Sequence, residues 1–279
     1  MAMDRIFGRG TSFSLSGGVL FALAMITYLL LYTPAVVMGI MSFNASAMPI
    51  LPFKGFTTYW YQLLVKDDFL LTSLKNSLIV GLPSAAISTL LGAMAAFGIV
   101  RHKFRFRNHI ITISLLPFIA PRLILAVGLL CLFSLVGWKG SLLLIVLGHV
   151  MLTIPISFLF TTSRLIQFPN HVEDAAANLG ASPIRVFIHV TLPIIMPALV
   201  ASFFFSFCTS FDEVLIAFFS TGKDNTLPIH IWATLQNRMN PQMVALATVL
   251  SIITAVITVF MWGIMVRSGG KASKGDVAK

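Results

Sequence analysis

Six uncharged or nearly uncharged stretches divide this chain, at 17–42, 76–100, 110–136, 141–163, 194–211 and 243–266. Each approaches or exceeds the roughly 20 residues that a helix needs to cross about 30 Å of hydrocarbon. Lipid offers the backbone no hydrogen-bond partner, so a spanning segment satisfies its own N–H and C=O groups as a helix. The pattern predicts an all-α polytopic membrane protein with six transmembrane helices. Pro117, Pro121 and Arg122 interrupt the third stretch and predict that its helix breaks there. The fifth is the hardest to bound, because apolar sequence resumes after Asp212 and Glu213. The first is longer than the apolar core of a secretory signal, and no small-x-small cleavage site follows it. It reads as a retained span.

Composition agrees with lipid as the main solvent. Hydrophobic residues fill 57% of the 279 positions and charged residues 10%, against about a quarter charged in an average soluble domain. Mean hydropathy is +0.93. A net charge of +10 would suit nucleic acid, but the Lys and Arg residues sit in short polar segments beside the apolar runs. That distribution encodes topology, not a phosphate-binding face. Grouping both termini with the second–third and fourth–fifth loops puts twelve Lys and Arg on one side and six on the other. Both termini and the fourth–fifth loop are therefore expected in the cytoplasm. Residues 1–16 read as a cytoplasmic segment, 17–267 as the transmembrane domain, and the Gly/Ser/Lys-rich 268–279 as a flexible tail. Cys131 and Cys208 lie in apolar stretches and read as thiols buried in lipid-facing or bundle positions, with no Cys/His spacing that suggests a metal.

The fourth–fifth loop, 164–193, reads RLIQFPNHVEDAAANLGASPIRVFIHVTLP. Asn170 suits an N-cap, with Glu173 three residues on to complete a capping box. Asp174 adds negative charge to the same first turn. Ala175, Ala176, Ala177 and Leu179 propagate the helix, and Gly180 suits the left-handed residue that ends it. Ser182-Pro183 then opens a second short helix, and Pro193 and Pro197 mark the return to the membrane. A few residues would join two spans. The small-residue surface of Ala175, Ala176, Gly180 and Ala181 is suited to close docking on another protein.

This segment resembles the EAA loop of ABC importer permeases, whose pattern is E-A-A, three residues, G, nine residues, I-x-L-P. Asp174-Ala175-Ala176 stand for E-A-A, Gly180 for the glycine, Val190 for the isoleucine, and Leu192-Pro193 close the pattern. Asp for Glu and Val for Ile are its departures. The resemblance extends over about 28–267. Ser210-Phe211-Asp212-Glu213, Thr226-Leu227-Pro228, Asn240-Pro241 and Ala245-Leu246-Ala247-Thr248 are similar to the spermidine/putrescine-type branch. The resemblance implies a permease subunit of a bacterial inner-membrane importer working by alternating access, with no enzyme chemistry and no cofactor. It implies a pair of ABC ATPase subunits docked on a coupling helix, with Glu173, Asp174, Ala175, Ala176, Gly180, Leu192 and Pro193 as the coupling residues. It also implies a second and different permease, an extracytoplasmic solute-binding protein and membrane lipid as partners. Nucleic acid is not among them.

No G-x-x-x-x-G-K-[ST] phosphate loop occurs. Leu15-Ser16-Gly17-Gly18 mimics part of the ABC ATPase signature but precedes a span, with no nucleotide-binding domain around it. The rival classes are an intramembrane enzyme and a non-transporting scaffold. There is no G-x-S-x-G or H-E-x-x-H, and His149, deep in the fourth span, reads as a hydrogen-bonded bundle residue. Arg122, Asp212 and Glu213 are the ionisable groups to weigh for the solute pathway, because charge at membrane depth is costly and usually faces a cavity or a partner. Arg122 reads as a pathway residue, or as an ion pair with Asp212 or Glu213. Many polyamine-type permeases carry an acidic residue at the position matching Arg122. The cation here admits an amine bearing a carboxylate or phosphonate beside a simple polyamine.

Overall fold

The computed structural model describes residues 17–48, 52–102, 105–237 and 240–273. Residues 1–16 and 274–279, with the charges assigned to the two ends there, lie outside the described residues. In chain order the elements are α1 (Gly17–Met41), α2 (Tyr59–Lys66), α3 (Asp68–Arg101), α4 (Arg107–Ile119), α5 (Arg122–Leu135) and α6 (Leu142–Gln167). There follow α7 (His171–Asn178), α8 (Pro183–Val186), a π-turn (Phe187–Thr191), α9 (Leu192–Phe211), α10 (Leu215–Ser220), α11 (Leu227–Asn237) and α12 (Pro241–Ser273). Among the described residues five helical stretches are long and apolar enough to cross a membrane, and a bent pair, counted as one span, brings the number to six.

The bent pair is the third span. Pro117 is accommodated inside α4, and the break falls at Ala120-Pro121, where the chain turns through 101° into α5. Pro121 has no N–H to continue the ladder and disfavours helical geometry in the residue before it. Ala120 is accordingly extended, at φ −62° and ψ 140°. At 1.5 Å per residue α4 covers about 20 Å, so this span does not run straight through the bilayer.

The core is a seam between α3, α6 and α9 built from small and hydroxyl-bearing residues. Ser73, Ser77, Ser84, Ser88, Gly92 and Ala96 mark the buried stripe of α3. His149, Thr153, Ser157 and Thr161 recur every fourth residue on α6, as do Ser202, Ser206 and Ser210 on α9. Between helices in lipid, small residues admit close backbone approach and hydroxyls bond across the interface. Ser84 Oγ reaches the Val146 carbonyl at 3.4 Å, and Ser157 and Ser206 meet at 3.3 Å. A Cβ on Gly92 would lie 2.6 Å from Ser157 Cβ and 2.7 Å from the Phe158 nitrogen. Apolar packing by Ala96, Ile99, Phe158, Leu165 and Ile195 continues the seam toward the 164–193 loop.

At the opposite end Asp67 caps α3, accepting from the Leu70 N–H at 3.0 Å, and its second oxygen accepts from Gln242 at the start of α12 at 2.9 Å. α1 packs chiefly on α12 and leaves most of its apolar side chains exposed, the state expected where lipid or another membrane subunit covers them. α12 runs on to Ser273, so 268–273, expected within the flexible tail, are helical.

Candidate functional site

Two regions carry the residues singled out in the sequence. The first is the 164–193 loop. α7 forms as expected and ends in a Schellman arrangement around Gly180, whose φ is +87°. The Gly180 N–H bonds the Ala177 carbonyl at 2.9 Å and the Ala181 N–H bonds the Ala176 carbonyl at 3.2 Å. Asp174, Ala175 and Gly180 are exposed. Leu179 is 90% and Ile184 73% exposed, an apolar pair left in the open beside α7.

Two expectations for this loop need correction. The capping box does not form: Asn170 is itself helical, with φ −60° and ψ −28°, and its side chain caps nothing. Arg101, at the end of α3, takes the groups that would have made the box, donating to Asn170 Oδ1 and pairing with Glu173 at 2.9 Å. A buried guanidinium outcompetes a backbone N–H for those oxygens because the bond is charge-assisted. Second, the helix opened by Ser182-Pro183 is not separate, since α8, the π-turn and α9 form one span from Pro183 to Phe211. The wide turn lies just before Pro193, whose ring would clash with the carbonyl four residues back in a regular α-helix. Leu192 and Pro193 open α9, with Leu192 packed on the Ile195 and Phe158 core and Pro193 exposed.

The second region lies where the two broken elements meet. Glu213 is 1% exposed and fully engaged: Oε1 accepts from the N–H groups of Leu215 at 3.0 Å and Ile216 at 3.3 Å, while Oε2 accepts from Arg122 Nη1 at 2.9 Å. It thereby caps α10 and ties the start of α10 to the start of α5. At the other end of this pair of short helices the Ser141 N–H bonds the Ser220 carbonyl at 3.1 Å. The Arg122 side chain is half exposed. This is the geometry of the ion-pair alternative, with Glu213 and not Asp212 as the partner. Asp212 and Glu213, adjacent in the sequence, have opposite environments. Asp212 is exposed and contributes to a cavity of about 700 Å³ between α3, α9, α11 and α12. Leu78, Phe207, Phe211 and Trp232 are among its walls, so Asp212 is a single carboxylate in an apolar and aromatic setting. His149 is buried with Nδ1 2.7 Å from Ser210 Oγ, a hydrogen-bonded bundle residue as expected. Cys131 is exposed on the apolar α5 and Cys208 is partly buried within α9, and neither forms a disulfide. Among the described residues no His, Cys, Asp and Glu side chains group as metal ligands.

Comparison with known proteins decides what this arrangement belongs to. Residues 88–269 match the family described as binding-protein-dependent transport system inner membrane component. The chain belongs to that family. It is 32% identical over 264 residues to the spermidine/putrescine transport system permease protein PotC of Escherichia coli K12, covering 94% of this chain and 98% of that one. It is 31% identical over 252 residues to the putrescine transport system permease protein PotI of the same organism, covering 88% and 89%. A solved bacterial ABC transporter that imports the acidic polysaccharide alginate shares the fold, with a TM-score of 0.63, 17% identity and coverage of 96% and 98%. The chain is thus a permease component of an ABC importer, a transport subunit and not an enzyme, of the bacterial inner membrane.

Within that family framework, sequence reasoning missed Arg101 and Thr191, which both reach Glu173, and Trp232 in the cavity wall.

Proposed function

We propose that this chain is one of two different permease subunits of an importer for a small organic amine of the polyamine class. Both termini face the cytoplasm, and α7 is the coupling helix on which one of a pair of ABC ATPases docks. The observation that carries the substrate class is near-complete alignment with two permeases named for spermidine and putrescine. Asp212 supports it chemically. An exposed carboxylate against Phe211 and Trp232 offers an ammonium group both a counter-charge and aromatic faces, and the apolar walls suit a methylene chain. Pairing of Arg122 with Glu213 offsets the cation that would otherwise repel such a solute. The exposed Asp174, Ala175, Leu179 and Gly180 supply a docking face whose centre is apolar and small. Gly180, Leu192 and Pro193 shape and support that face. Extracellular delivery falls to a solute-binding protein, and ATP energy arrives as rigid-body motion of α7.

The test is uptake of radiolabelled putrescine and spermidine by membranes carrying the assembled complex. Asp212→Asn is expected to reduce uptake at least tenfold at unchanged abundance, and Asp212→Glu to retain part of it. Wild-type uptake of an amino acid or aminophosphonate, with none of either polyamine, would replace this substrate class with a zwitterion.

A further inference from the structure

Glu173 and Asp174 are neighbours in the first turn of α7, but they face opposite ways. Asp174 is exposed, whereas the Glu173 side chain is 16% exposed and turned into the protein. Its Oε2 pairs with Arg101 Nε at 2.9 Å, and its Oε1 accepts from Arg101 Nη2 at 3.3 Å and from the Thr191 hydroxyl at 2.6 Å. Arg101 is 8% exposed, donates to the Phe168 carbonyl at 3.4 Å and to Asn170 Oδ1, and lies 5.5 Å from the Phe168 ring centre.

The elements joined in this way are far apart in sequence. Arg101 is the last residue of α3, Phe168 ends α6, Glu173 opens α7, and Thr191, 1% exposed, is the last residue of the π-turn beneath α9. One guanidinium and one carboxylate therefore hold the inner ends of three spans to a single turn of α7. These are also the three spans of the serine-lined core, so a push on α7 enters the packed centre of the bundle. The π-turn is the one break in the helical path from Ser182 to α9, and Thr191 closes it against Glu173. Without that closure the chain from α7 to α9 runs through Gly180, Ala181, the four-residue α8 and a wide turn, a compliant path.

We propose that the Arg101–Glu173–Thr191 network is the transmission joint of this permease, converting displacement of α7 into concerted movement of α3, α6 and α9. The inference rests on the importer reading above. Glu173 is on this account a positioning residue that grips its own subunit, and Asp174 is the acid turned toward the ATPase. The two acids of the first turn thus have separate duties, which their adjacency in sequence conceals.

The experiment uses the assembled complex purified from host membranes, with retention and coupling measured in the native background and labelling in a background where Cys131 and Cys208 are Ser and Leu235, in the cavity wall, is Cys. The readouts are ATPase retained in the complex, ATP hydrolysed per putrescine imported, and the ATP-dependent change in maleimide labelling at position 235. Arg101→Gln is expected to retain the ATPase, raise ATP consumed per putrescine at least tenfold, and abolish the ATP-dependent labelling change. Thr191→Val, which removes one donor and keeps the shape, is expected to raise that ratio several-fold. The Arg101→Glu, Glu173→Arg double variant is expected to recover a substantial part of the coupling lost in Arg101→Gln. Loss of ATPase from either single variant at normal permease abundance would overturn the proposal, because the network would then belong to the docking face. Wild-type labelling change and ATP ratio in Arg101→Gln would overturn it as well, leaving the importer reading intact. A wild-type complex that retains no ATPase would overturn that reading and this proposal together.

Discussion

Replacing Glu213 by Ala tests whether this buried acid holds the two broken elements together. The substitution removes the acceptor for two backbone donors, Leu215 and Ile216, and the partner of Arg122. Ile216 is fully buried, so its N–H loses the Glu213 carboxylate as acceptor, at a cost of about 1–3 kcal/mol for an unsatisfied buried donor. The Leu215 N–H is less costly, because that residue is exposed. Arg122 is half exposed and can turn to water, so its loss is discounted to about 0–1 kcal/mol, the scale of a solvated pair. The total expected is about 1–4 kcal/mol of stability. Glu213→Gln keeps an oxygen for the backbone donors and sacrifices the charge, so it is expected to cost about 1 kcal/mol. The assay is thermal denaturation of the purified protein in detergent together with its abundance in membranes. The expected order is wild type, then Gln, then Ala, with the Ala variant strongly depleted. An Ala variant as stable as wild type would refute the capping argument. A Gln variant of normal stability with no uptake would show that the Glu213 charge acts on the solute and not on the fold.

Gly180→Asn should leave uptake near normal, since Asn tolerates the left-handed region. Gly180→Arg should abolish uptake at normal abundance, by about 1–2 kcal/mol of backbone strain and by bulk on an open face. Uptake and ATPase co-purification measure both. Asp174→Ala should weaken ATPase retention more than membrane insertion, and Asp174→Glu should be tolerated. Equal loss in both would show that the loop has been misaligned with its family. Gly92→Val should sharply reduce abundance, because its Cβ would collide with the Phe158 backbone nitrogen as well as with Ser157, and backbone cannot turn away. Immunoblots of membrane fractions test this, and an unaffected level would mean that α3 and α6 separate readily.

What the amino-acid sequence determined by itself is the part of this protein governed by local rules. Span number follows from runs of apolar residues, because lipid requires each run to close its own hydrogen bonds. The exposed helix 171–178 and its end at Gly180 follow from alanines and one left-handed position, all within ten residues. The break of the third span was legible in Pro121 for the same reason. The partners of charged groups were not. Arg122 and Glu213 are 91 residues apart, and Arg101 and Glu173 are 72 apart, so no local pattern records either pair. Local rules predicted a capping box at Asn170 and Glu173, and a distant guanidinium took both side chains. Asp212 and Glu213 look equivalent in the sequence. Only the folding of α10 back onto α5 buries one in an ion pair and leaves the other facing the cavity. Charge and hydrogen bonding in a low-dielectric bundle are settled by whichever partner the packing brings within about 3 Å, and packing is a property of the whole chain.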